Sequence, residues 1–230
     1  MLKEGLLKLG INNDEKTISQ LNRYIEEIEL FNPAYGLVKV NNRNELIVKH
    51  ILYSLAPVKF LNRLLKERFD EGQIPAVADI GSGAGLPGIP LAVCMPGANF
   101  TLIERMGRRA GFLRNVLAVL GLSNVSVEEA DIDELAHKSA ANGSFNLIVF
   151  RAWKPLSPPL LKSLFTQLAP GGTIAAYKGR RETIEEEIAG LAANSTTVLT
   201  QPDNPACEII PLEVPFLEEE RHLVLIRGEE

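Results

Sequence analysis

AVADIGSGAGLPGIPLAVCMPGANFTLIE, residues 76–104, is the stretch that decides the fold. A short apolar run ends in Asp79. A turn carrying Gly81, Gly83, Gly85 and Gly88 follows, then a helix-like segment, then a second apolar run that ends in Glu104. Strand, glycine turn, helix and strand, with a carboxylate closing each strand, is the pattern of a nucleotide-type binding unit. A tight turn needs one or two glycines. Four imply that the backbone passes close to a ligand.

Outward from this unit the pattern alternates. Strands are expected at 76–80, 99–104, 124–129, 145–150, 173–178, 196–200 and 222–227, and helices at 88–95, 107–120, 157–168 and 182–193. Strands separated by helices of this length predict a doubly wound, mostly parallel seven-stranded sheet. Only a Pro-containing connection (201–221) joins the last two strands, so they are expected to pair antiparallel at the sheet edge. Residues 1–74 read as an N-terminal helical extension and 75–230 as the α/β domain. In the extension, Ile18, Leu21, Ile25 and Ile28 share a helical face, and FNPAYG (31–36) is expected to end that helix. Asn44 and Ser54 are expected to cap the next two helices, the second showing Phe60, Leu61, Leu64, Leu65 and Phe69 to a core.

Composition narrows the classes. In 230 residues, 46% are hydrophobic, enough for a packed core. No apolar run reaches membrane-spanning length, and the N-terminus lacks a signal-peptide pattern. Two cysteines, Cys94 and Cys207, make no disulfide framework, which suits a reduced cytoplasmic protein. His50, His137 and His222 are scattered and no Cys-x-x-Cys pair occurs, so no metal site is expected. The net charge of −5 argues mildly against a nucleic-acid partner, but its distribution argues for one. Residues 105–124 carry Arg105, Arg108, Arg109 and Arg114 without an acid. Residues 151–181 carry Arg151, Lys154, Lys162, Lys178, Arg180 and Arg181, again without one. Each stretch follows an expected strand end, where a basic face would attract phosphate.

The glycine turn permits two cofactors. Gly83, Gly85 and Gly88 fit the dinucleotide pattern GxGxxG. Gly81, Gly83 and Gly85 fit GxGxG, preceded by Asp79, as in methyltransferases that use S-adenosylmethionine. Both readings put Glu104 on ribose hydroxyls. Asp79 suits a ligand with a cationic amino group, which a dinucleotide lacks. LAPGGTIAAYK (168–178) and the closing pair of strands fit a methyltransferase sheet. A nicotinamide-dependent oxidoreductase and a non-catalytic RNA-binding or assembly factor remain the alternatives.

Five segments together resemble the RsmG (GidB) family of 16S ribosomal RNA methyltransferases. They are DIGSGAGLPGIPLAVCMP (79–96), TLIERMGRRAGFLRNVLAVLGLSNV (101–125), KHILYSL (49–55), FNLIVFRA (145–152) and LAPGGTIAAYKG (168–179). The resemblance implies the class I Rossmann-like fold, S-adenosylmethionine as cofactor and 16S rRNA as substrate. The implied product is methylated at N7 of one guanine, expected at position 527. Its implied cofactor residues are Asp79, Gly81, Gly83, Gly85, Leu86 and Glu104, with Ile132 on the adenine face and Asp133 at the exocyclic amine. Leu86 is expected in the first turn of the helix. Arg151 is expected to meet substrate or the methionine carboxylate, with Trp153 beside it. Arg105, Arg108, Arg109, Lys154, Lys178, Arg180 and Arg181 are expected to face RNA. The chain departs from the family at Tyr53, where Asp is usual, at Ala34–Val38, and at Glu128–Glu134.

Overall fold

The computed structural model describes residues 1–68, 72–138, 143–151, 154–194 and 207–227. Five helical segments come first: α1 (Leu2–Lys8), α2 (Glu15–Tyr35), α3 (Arg43–Leu46), α4 (Tyr53–Leu55) and α5 (Val58–Arg68). A π-helical stretch, Ile47–Leu52, joins α3 to α4. The alternating part follows as β1 (Ala76–Ile80), α6 (Gly88–Cys94), β2 (Asn99–Ile103), α7 (Gly107–Leu120), β3 (Val125–Glu128), α8 (Ile132–Lys138), β4 (Phe145–Arg151), α9 (Pro158–Phe165), β5 (Leu168–Lys178), α10 (Arg181–Asn194), β6 (Cys207–Pro211) and β7 (His222–Arg227).

The described strands form one sheet in the order β3-β2-β1-β4-β5-β7-β6, and β1 to β5 run parallel. β7 lies antiparallel between β5 and β6, with Lys178 opposite His222. The fold is thus a doubly wound, mostly parallel α/β sheet preceded by a helical segment. The chain changes direction between β1, which leads to β2, and β4, which leads to β5. Ligands of open α/β sheets bind at such a switch point, beyond the carboxyl ends of the strands.

Several local expectations are corrected. α2 does not stop at Pro33. It runs to Tyr35 and ends on Gly36, whose φ of 57° is left-handed. A proline this near the C-terminus removes one helical hydrogen bond and leaves little helix beyond it to disrupt. The cap of α3 is Asn42, not Asn44, and its side chain accepts from Glu45 N at 2.9 Å. Ser54 caps nothing; inside the helical run its hydroxyl donates to His50 O at 2.7 Å. Pro170-Gly171-Gly172 is a bulge inside β5, not a turn before it. The expected connection 201–221 contains β6, the antiparallel partner of β7. The expected strand at 196–200, Phe69 and Trp153 lie outside the described residues.

The sheet separates two apolar layers. On one side Leu21, Ile25, Ile28, Leu52 and Leu61 of the N-terminal helices pack with Val77, Leu91, Phe100 and Leu113. On the other, α8, α9 and α10 cover Ala78, Ile148, Phe150 and Ile174. No helix among the described residues is long and apolar enough to cross a membrane.

Candidate cofactor and acceptor site

β1 ends in a fully buried carboxylate. Asp79 Oδ2 accepts from Gly88 N at 2.9 Å, capping α6, while Oδ1 has no hydrogen-bond partner. Burial pushes the Asp79 pKa up to about 7, against the Gly88 hydrogen bond and the nearby Arg151 charge, which pull it down. Gly88 is required here by space. A Cβ on it would lie 2.5 Å from Leu102 Cδ2 and 2.6 Å from Asp79 Oδ2. That packing accounts for the fourth glycine without a dinucleotide.

Immediately after β2 comes the second carboxylate, Glu104, only 4% exposed. Its Oε2 accepts from Gly83 N and its Oε1 from Met106 N, each at 2.9 Å. Gly83 takes a φ of 57°, and that left-handed turn aims its N–H at Glu104. From the far side Tyr24 of α2 donates its hydroxyl to Ala84 O at 2.8 Å. The glycine turn is therefore gripped by a strand end and by an N-terminal helix. Leu86 is buried in this turn, just before α6, and not in the first turn of the helix.

Beside Glu104 lies a cavity of about 130 Å³, lined by Gly81, Ile103, Arg109, Asp131 and Ile132 among others. Ile132 is 2% exposed and forms an apolar wall. Asp133 lies away from this cavity. It accepts from Ser163 Oγ at 2.8 Å and stands 4.0 Å from Lys154 Nζ. Asp131 lines the cavity in its place, with Oδ1 accepting from Asp133 N to cap α8.

A second cavity, about 840 Å³, opens beyond β4 and β5. Phe150, Tyr53 and Tyr177 give it aromatic walls, and Lys49, Arg151, Lys154, Lys178 and Arg221 give it positive charge. Arg151 closes β4 as expected, but its hydrogen bonds run to the π-helical stretch. Nη1 donates to Lys49 O at 3.3 Å and His50 O at 3.4 Å, and Nη2 meets His50 Nδ1 at 2.8 Å. The wider π-turn leaves these carbonyls open to a side chain. Burial first, and then the Arg151 charge, push the His50 pKa down to about 3, so its imidazole is neutral and Nδ1 accepts. Tyr53 donates to Lys178 O at 2.9 Å and meets Tyr177 edge-on, with centroids 5.5 Å apart. Burial pushes its phenol up to about 12.

The cations expected to face RNA divide in space. Arg105, Arg108 and Arg180 are exposed, with Arg105 at 3.7 Å from Asp131 and Arg108 over the Tyr35 ring at 4.4 Å. Arg181 is exposed beside Glu185 at 3.7 Å. Lys154 is exposed at the cavity, and Arg109 is half-buried against the smaller one. Lys178 is turned inward, where Nζ donates to Glu187 at 2.8 and 3.0 Å. Among the described residues no group of three His, Cys, Asp or Glu side chains is arranged to hold a metal ion.

Sequence reasoning missed Tyr24, Asp131, Tyr177 and Arg221. Spacing carried no signal for them, since each reaches the site from a separate part of the chain.

Comparisons with known proteins agree with this architecture. Residues 17–224 match the family described as rRNA small subunit methyltransferase G. The ribosomal RNA small subunit methyltransferase G of Treponema pallidum is 40% identical over 234 residues, covering 98% of this chain and 92% of that one. The Cellvibrio japonicus protein of the same name is 32% identical, covering 100% and 94%. An S-adenosylmethionine-dependent O-methyltransferase from Thermotoga maritima shares the fold at a TM-score of 0.51 and 14% identity, over 90% of this chain and 71% of that one.

Proposed function

The chain belongs to the rRNA small subunit methyltransferase G family, and from that premise we propose that it moves a methyl group from S-adenosylmethionine to N7 of a guanine in 16S rRNA, with position 527 the expected target. Membership makes it an rRNA methyltransferase and removes the nicotinamide and non-catalytic alternatives. One observation supports S-adenosylmethionine as the methyl donor in this reading. Two carboxylates close adjacent parallel strands beside a glycine turn, and one of them keeps a buried oxygen without a partner.

The residues present fit the cofactor. Glu104 has spare lone pairs for a ribose diol, because each oxygen accepts only one described hydrogen bond. Asp79 Oδ1 suits a cationic amino group, which would meet the unmet demand of a buried carboxylate. Ile132 offers a face for adenine, and Asp131 replaces Asp133 as the acceptor for its exocyclic amine. S-adenosylmethionine supplies an electrophilic methyl on a sulfonium centre.

The chain's residues then have positioning work to do. Guanine N7 carries a free lone pair near neutral pH, so no general base is needed. Neutral His50 is engaged with Arg151 and is no base. Arg151 and Tyr53 line the larger cavity, where an unpaired or flipped guanine would be held for in-line attack. Arg109, Arg105 and Lys154 lie around the two cavities and would meet phosphates.

The test is incubation with labelled S-adenosylmethionine and small subunits that lack the modification. Label should appear at a single 16S guanine as 7-methylguanine. Label elsewhere, or none, defeats the assignment.

A further inference from the structure

Arg221 is a cavity cation that the proposed reaction leaves without a task. It stands immediately before β7, whose first residue pairs with Lys178 at the carboxyl end of β5. Its guanidinium lies over the Tyr53 ring at 5.3 Å, and the Arg151 guanidinium lies 5.4 Å from the same centroid. The other cations have described partners. Lys49 is bonded to Glu45 at 2.6 Å, Lys178 to Glu187, and Arg151 to the π-helical stretch. The described hydrogen bond of Arg221 is a single one, to the carbonyl of its neighbour Glu220 at 2.7 Å. Four of its five N–H groups remain for something else.

Like charges gather at this point. Arg221 is close enough to Lys49 to oppose its charge, and both guanidiniums act on Tyr53. Glu45 and Glu219 already offset Lys49, so the charge left for a bound anion to offset is that of Arg221 and Arg151, both beside Tyr53. A neutral base edge would not offset it. With Nη1 on Glu220 O, Nε and Nη2 remain for a bidentate contact, the pairing that suits phosphate oxygens.

We propose that Arg221 binds a backbone phosphate of the acceptor RNA at the mouth of the larger cavity, a role that rests on reading this cavity as the rRNA acceptor site. Phosphate contacts fix register without reading sequence, so Arg221 would set where the target nucleotide enters while Arg151 and Tyr53 face the base.

The experiment measures equilibrium binding of the whole protein to small subunits lacking the modification, between about 50 and 200 mM salt. Each phosphate contact on single-stranded RNA contributes about 0.7 to the slope of log affinity against log salt. Arg221→Gln and Arg221→Ala should each flatten that slope by about 0.7, and Arg221→Lys should keep it, with S-adenosylmethionine affinity unchanged in all three. A wild-type slope in both charge-removing variants overturns the phosphate role while leaving the acceptor assignment intact. Failure of the wild-type protein to bind subunits at all overturns both. Loss of cofactor affinity in the Gln and Ala variants would mean that Arg221 supports the fold instead, which also ends the proposal.

Discussion

Asp79 is where a single residue couples binding to protons. Its ordinary pKa is 3.8 and burial raises it to about 7 in the folded chain. Between those values the folded protein keeps a proton that the unfolded chain has released. Stability from this group is therefore full below about pH 4 and is lost as pH rises through 7. A cationic amino group beside Oδ1 would favour the ionised form and expel that proton. Titration calorimetry with S-adenosylmethionine at pH 6, in buffers of different ionisation enthalpy, should show release of close to one proton. Asp79→Asn keeps an acceptor for Gly88 N and should abolish the release. Equal release in both proteins would place the amino group elsewhere. Both carboxylates and the glycine turn were legible in the sequence because they are local: strand end, turn, strand end. Asp133 turns to Ser163 and not to the smaller cavity. Spacing along the chain cannot tell which carboxylate of an Asp-Ile-Asp run faces a cavity and which faces Ser163.

At the scale of elements, the first helices help to build the site. Tyr24 of α2 holds Ala84 O, and the stretch Ile47–Leu52 receives Arg151. Tyr24→Phe would leave a buried carbonyl unpaired, at a cost of about 1–3 kcal/mol. Denaturant unfolding should show that loss, together with weaker cofactor binding as the turn loosens. Unchanged values in both measurements would mean that the turn holds its shape without α2. None of this was readable beforehand. The Tyr24–Ala84 bond joins residues sixty positions apart, and a π-turn has no composition of its own. The acid-free stretches are acid-free only along the chain. Arg114 finds Glu129 at 3.2 Å and Asn115 finds Glu27 at 2.7 Å, so a segment without acids in sequence has acids in space. Periodicity placed β1 to β4 and β7 closely, and β1, β4 and β7 read as apolar runs because they are buried on both faces. The Pro-Gly-Gly bulge of β5 and the short β6 lacked that signature.

Across the whole molecule, the N-terminal helices and the sheet share one apolar layer. Separating them would expose Val77, Leu91, Phe100 and Leu113 to water. A chain beginning at residue 75 should therefore lack a cooperative thermal transition and bind a hydrophobic dye, whereas the full chain should unfold in one step. A truncated chain that melts sharply would show that the α/β part stands alone. The position of β7 has a further consequence during synthesis. It follows all the other described strands, yet it lies inside the sheet between β5 and β6. Until residues 222–227 leave the ribosome, β5 presents an unpaired edge flanked by apolar surface, the kind that seeks another strand. The nascent enzyme therefore stays exposed to mispairing until β7 is available to dock, and the residue just ahead of β7, Arg221, reaches the cavity in that same closing step.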